Sequence, residues 1–190
     1  MYRKKFTVYD VVFIGTMAAA VFVVTLFRVP VGSSKLHFAN AFCLLAGLLF
    51  GPVSGGLSAG IGSGLYDLIL GGYDIPQTLI TFVSKFLMAF VCGLIFSVFR
   101  EKEKCRQRLW LFIILSCIAG VLTYVALYMV KSFVYQRFVY GFPMDAVMIT
   151  LTAKLISSLI NALAAVVVTP ILYPPLKKVL SSAMKGKSRI

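Results

Sequence analysis

The sequence predicts an all-α, polytopic membrane protein folded as a bundle of six helices, and three observations predict it. Of 190 residues, 60% are hydrophobic and 13% are charged, about half the share near 25% that a soluble domain carries. The mean hydropathy is +0.95. The apolar residues fall in runs of roughly 15–25, the length that crosses a bilayer as a helix, and these runs fill nearly the whole chain. Between them, basic residues gather in short tracts.

The tracts orient the bundle. Arg3, Lys4 and Lys5 open the chain, Arg100, Lys102, Lys104, Arg106 and Arg108 fill one polar loop, and Lys177, Lys178, Lys185, Lys187 and Arg189 close it, thirteen of the 19 basic residues. Cytoplasmic segments carry such an excess, so both termini and the central loop are assigned to the inside. The formal net charge of +13 therefore reads as membrane orientation and not as a nucleic-acid surface.

Six spans follow, at 11–27, 37–50, 53–70, 76–99, 109–131 and 145–173. The first has a basic leader, but it is too long for the core of a signal peptide and keeps Ala18, Ala19 and Ala20 inside it, so it is expected to stay as a helix. The second, about 14 residues, is short for a crossing. Charge parity requires it to cross, because an even number of crossings must separate the basic N-terminus from the basic loop at 100–108. Gly51 and Pro52 in "LLFGPVSGG" break the chain into an inner turn before the third span. The fourth and fifth flank the basic loop, and the sixth returns the chain inside. Outer loops are expected at 28–36, 71–75 and 132–144, and residues 1–190 read as one integral membrane domain with no room for a soluble catalytic or nucleotide-binding unit.

Two lysines interrupt this pattern. Lys85 in "FVSKFLMAF" and Lys154 in "LTAKLISSLI" each lie nine residues from the outer end of their span, about 13 Å deep at 1.5 Å per residue. A charge at that depth costs about 2.5–3.5 kcal/mol on insertion scales, which makes function the default reading. Thr78, Thr81 and Lys85 share one helix face, as do Thr150, Lys154 and Asn161, and such stripes suit a bundle interior or wet cavity. The competing reading is a structural ion pair, for which Asp67 is the counter-ion inside a span. Tyr124 and Tyr128 share a face of the fifth helix, Tyr73, Asp74 and Gln77 lie at the mouth of the fourth, and His37 and Asn40 open the second. Aromatic and amide groups of this kind make up small-molecule pockets, although tyrosines also anchor helices at the membrane interface.

Small residues recur at Gly15 and Ala19 in the first helix and at Gly56, Gly60 and Gly64 in the third. Both stripes permit close helix contact; internal packing is expected for the third, and contact with another membrane protein is the second reading for the first. Cys43, Cys92, Cys105 and Cys117 show no C-x-x-C pair or neighbouring histidine cluster, so neither a metal site nor a disulfide framework is expected, and no cofactor.

The block "LHFANAFCLLAGLLFGPVSGGLSAGIGSGLYDLILGGY", followed by "TFVSKFLMAFVCGLI", resembles the S component, the substrate-binding subunit, of energy-coupling factor (ECF) transporters, and "AKLISSLINAL" extends the likeness. The resemblance implies a six-helix S-component bundle in the cell membrane that binds a vitamin or precursor from outside, together with a transmembrane T component and two ATPase subunits. It implies a lid at 31–36 and a pocket lined by Lys85, Tyr124, Tyr128, Lys154 and Asn161, with Gly15 and Ala19 standing where the family's small-residue motif meets the T component. Nickel and cobalt members use an N-terminal histidine site, which Met1-Tyr2-Arg3 lacks. The likeness is to the riboflavin, pyridoxine or hydroxymethylpyrimidine branch, a neutral ring, whereas two buried lysines point to an anionic group. Two other classes stay open on the residues alone. One is a structural or assembly protein with self-satisfied lysines; the other is a membrane-embedded enzyme, for which the carboxylate and histidine complement is poor.

Overall fold

The computed structural model describes residues 8–27, 29–31, 34–36, 38–102 and 106–185. Six helices run in the order α1 Val8–Leu26, α2 Ala39–Phe50, α3 Pro52–Ile69, α4 Ile75–Lys102, α5 Arg106–Val134 and α6 Met144–Lys185. Four of them, α1, α4, α5 and α6, are long and apolar enough to cross a membrane unaided. Their outward faces carry Val12, Leu79, Val83, Leu122, Leu159 and Leu163 in exposed positions, the surface expected of helices solvated by lipid tails.

α2 is 12 residues long, about 18 Å and well short of the roughly 30 Å hydrocarbon core. Nine of those residues are buried, because the other helices surround it. α2 therefore needs no lipid-matched length. The inner end is set by Gly51, whose φ of 82° suits a residue without Cβ, and by Pro52 at the first position of α3, where its missing N–H costs nothing. α2 thus starts well below the outer ends of its neighbours.

Close packing holds this core. A Cβ at Gly47 of α2 would collide with the Ala89 carbonyl of α4, and a Cβ at Gly56 or Gly60 of α3 would come within 2.9 and 3.0 Å of the Phe86 and Phe82 rings. The glycine stripe of α3 is internal packing. Leu44, Leu45, Met88, Ile113, Cys43, Cys92 and Cys117 are fully buried around it, the three cysteines as free thiols; Cys105 lies outside the described residues.

Several boundaries differ from the sequence expectation, among them the basic loop at 100–108, most of which is helical because α4 runs to Lys102 and α5 begins at Arg106. The first outer loop contains an antiparallel hairpin, β1 Val29–Val31 with β2 Ser34–Leu36, paired Val29 to Leu36, and β2 packs on α6. Residues 132–144 are mostly helical, since α5 continues to Val134 and through a π turn, Tyr135–Val139. Polarity rises at Lys131, but the strong breakers come only at Gly141, with φ 67°, and Pro143. α6 does not stop at Tyr173; it runs on past Pro174 and Pro175 to Lys185.

Candidate functional site

Lys85 is ten residues into α4, about 15 Å from its outer end, and 4% exposed. Its ammonium donates to Oδ1 of Asn40 and lies 3.8 Å from the centroid of the Tyr124 ring. Asn40 is the second residue of α2, so the late start of α2 brings a helix mouth to the depth of the lysine. Tyr124 stacks with Tyr128 at 6.0 Å and 16°, one turn further out on α5. An amide, a cation and two parallel rings thus meet at one level.

A second polar level lies further out along the seam between α4 and α5. Lys131, seven residues beyond Tyr124 and so about 10 Å along the axis, donates to the Gln77 carbonyl and to Thr81 Oγ1, both at 3.1 Å. Its ammonium is 5.4 Å from the Tyr73 ring centroid, and Asp67, Asp74 and Lys154 are within electrostatic reach. Gln77 Nε2 donates to the Tyr140 hydroxyl at 3.3 Å, while the Gln77 N–H donates to the Asp74 carboxylate at 3.2 Å, capping α4. Gln77, Thr81 and Lys85 form one face of α4, and Tyr124, Tyr128 and Lys131 the facing side of α5.

The sequence-derived residues divide accordingly. Asn40, Lys85, Tyr124 and Tyr128 meet at the deep level. Tyr73, Gln77 and Thr81 meet at the outer one, through Lys131, which the sequence reading had placed beside an outer loop. Its signal was present in the i, i+4, i+7 spacing from Tyr124. Asp67 is buried near the outer end of α3. Lys154 is half-buried on α6, and Asn161, two turns deeper, is buried. His37 lies outside the described residues. Gly15 and Ala19 are exposed on α1, and a Cβ at Gly15 would touch nothing within 4 Å. Among the described residues no cluster of three His, Cys, Asp or Glu side chains forms.

A short buried helix, polar groups that join α2, α4 and α5, and four long apolar helices around them define a multi-pass membrane protein. The model of the ECF-type riboflavin transporter S component family matches residues 5–178, and the chain belongs to that family. Family membership makes it a membrane transport subunit and not an enzyme. The fold is similar to that of a solved bacterial protein described as the S component of an ECF transporter, with a TM-score of 0.60 over 90% of this chain and 97% of the other, at 19% identity. A protein of Pyrococcus woesei described as uncharacterized is 35% identical over 103 residues, 53% of this chain. The aligned part spans 65% of that relative's length.

Proposed function

We propose that the chain is the solute-binding subunit of an ECF-type importer for a water-soluble vitamin or vitamin precursor, with riboflavin ranked first and pyridoxine or hydroxymethylpyrimidine behind it. The observation that carries the reading is the deep level: Lys85, buried in the bundle and held by Asn40 and the Tyr124 face. A planar heterocycle finds aromatic faces at Tyr124 and Tyr128 and donors at Lys85 and Lys154. The family description favours a flavin, and stacked tyrosines suit a flat ring. Asn161 on α6 and the outer-level residues Thr81, Gln77, Tyr73 and Asp67 complete the site in this reading.

Energy comes from partners: a T component in the membrane and two ATPase subunits. The exposed Gly15 and Ala19 face of α1 is the surface proposed to meet the T component, since two small residues four apart let another helix approach closely.

The test is a thermal-shift screen of the purified chain against riboflavin, pyridoxine, hydroxymethylpyrimidine and other vitamins, repeated with Lys85→Met. Selective binding to the folded state raises the melting temperature. A shift with one vitamin that disappears in Lys85→Met supports the reading; a flat response across the panel in wild type removes it.

A further inference from the structure

A groove with a volume of about 370 Å³ runs between α4 and α5 in the outer half of the bundle. Leu79, Ile80 and Val83 of α4 form one wall, and Leu127, Val130 and Val134 of α5 form the other. Leu79, Val83, Val130 and Val134 are exposed, so the groove opens on the lipid-facing surface of the bundle and continues it. The α5 wall runs eight residues from Leu127 to Tyr135, about 12 Å at 1.5 Å per residue. The α4 wall lies four to nine residues from the outer end of its helix. The groove is therefore nearly as long as the hydrocarbon that one leaflet supplies, about 15 Å or half of the roughly 30 Å core.

Two polar side chains on the walls are engaged within the protein. Ser84 donates to the Ile80 carbonyl at 2.7 Å. Lys131 lends its methylene stem to the groove, while its ammonium turns to α4 and donates to the Gln77 carbonyl and Thr81 Oγ1. What remains for an occupant is apolar surface. In hydrocarbon such a slot takes no water, and left empty it forfeits the dispersion contacts of both walls. The walls also back directly onto the polar seam described above: Ile80 precedes Thr81, Ser84 precedes Lys85, Leu127 precedes Tyr128, and Val130 precedes Lys131. Tyr135 closes the outer end of the groove, the level at which tyrosines meet the headgroups.

We propose that this groove seats one acyl chain of an outer-leaflet phospholipid, and that the seated chain braces α4 against α5 from the lipid side. The occupant follows from the walls, which are apolar, open to the bilayer and placed at acyl-chain depth. The ammonium of Lys131 is turned away from the groove, so the chain is recognised and not the headgroup. The brace follows from Lys131 belonging to both sides: its stem lies along the groove and its ammonium ties α5 to α4. A chain packed on the stem holds that tie in place. The inference stands whichever solute the protein carries, because it uses the lipid side of the two helices alone.

The experiment strips the purified chain of lipid in detergent and adds back dioleoylphosphatidylcholine or dioleoylphosphatidylglycerol, recording retained phospholipid by native mass spectrometry together with the melting temperature. Wild type is expected to retain a phospholipid with either headgroup and to melt a few degrees higher with it, because binding to the folded state raises stability. Dihexanoylphosphatidylcholine, whose chains are too short to fill the groove, gives neither effect. The double variant Val83→Phe with Val130→Phe fills the groove with its own rings. It loses the retained lipid and the lipid-induced shift, and its lipid-free melting temperature is no lower than that of wild type. Leu122→Phe, likewise exposed on α5 but outside the groove, behaves as wild type. If the double variant does not fold, Val83→Phe alone carries the comparison. Lipid retention that survives groove filling overturns the proposal, as does retention of phosphatidylglycerol alone, which places recognition in the headgroup. Retention with no melting shift in wild type overturns the brace. Self-association of the lipid-free wild type that groove filling abolishes assigns the groove to a second copy of the chain and overturns the proposal as well.

Discussion

Lys85 of α4 and Tyr124 of α5 meet face on, the ammonium 3.8 Å from the ring centroid, while Asn40 of α2 accepts from the same ammonium. Three helices are therefore joined at one buried cation. Both of these partners are neutral groups, an amide oxygen and a ring face.

Replacing Lys85 by Met removes a charged donor and leaves the Asn40 oxygen enclosed. Solute affinity is expected to fall roughly thirty- to hundredfold, the worth of a charge-assisted hydrogen bond of about 2–3 kcal/mol. Calorimetric titration with the vitamin identified by the screen measures it, and an affinity within threefold of wild type would remove Lys85 from the site. The double variant Lys85→Met with Asn40→Leu is expected to recover stability without recovering binding.

The ring face is separable from the hydroxyl. Tyr124→Phe keeps the cation–π contact and is expected to hold solute-free stability within about 0.5 kcal/mol, whereas Tyr124→Leu loses about 1–2 kcal/mol. Thermal unfolding of the two variants side by side decides; equal losses would show that the hydroxyl, and not the ring, supports the lysine.

The outer seam depends on Lys131. Its bonds to the Gln77 carbonyl and Thr81 Oγ1 tie α5 to α4, and Lys131→Met is expected to cost about 1–2 kcal/mol, reduced from the buried value by its half exposure. A double-mutant cycle with Thr81→Val should return a coupling near 1 kcal/mol. Additive losses would mean the two side chains do not act on each other.

Two glycines make opposite predictions. A Cβ at Gly47 meets the Ala89 backbone, which cannot move aside as a flexible side chain would, so Gly47→Val is expected to cost about 3 kcal/mol through overpacking and to reduce the yield of folded protein. Gly15 has open space, so Gly15→Leu should leave the melting temperature alone while weakening co-purification with a T component. If Gly15→Leu co-purifies as wild type does, the partner lies on another face.

Much of this site was legible residue by residue. Lys85 drew notice because an ionisable group in an apolar helix is costly wherever it sits, and Tyr124 and Tyr128 because i, i+4 spacing puts them on one face. The bond between Asn40 and Lys85 spans 45 positions, and no periodicity within either helix reports it. Lys131 was hidden by the assumption that a helix ends where polarity begins. Helix geometry ends where the backbone cannot continue, here at Gly141 and Pro143, not at the edge of the hydrocarbon.

Hydropathy and charge placement are sums over local segments, so the sequence by itself determined a multi-pass membrane bundle, the direction of its helices and the two lysines that membrane burial makes expensive. Which polar groups meet is a matter of where helices distant in the chain come to rest. Only the tertiary structure decided that α2 is short and puts Asn40 at the depth of Lys85, and that Lys131 turns inward to α4. The physical reason is that burial and pairing belong to contacts between elements, and those contacts exist only once the helices have packed.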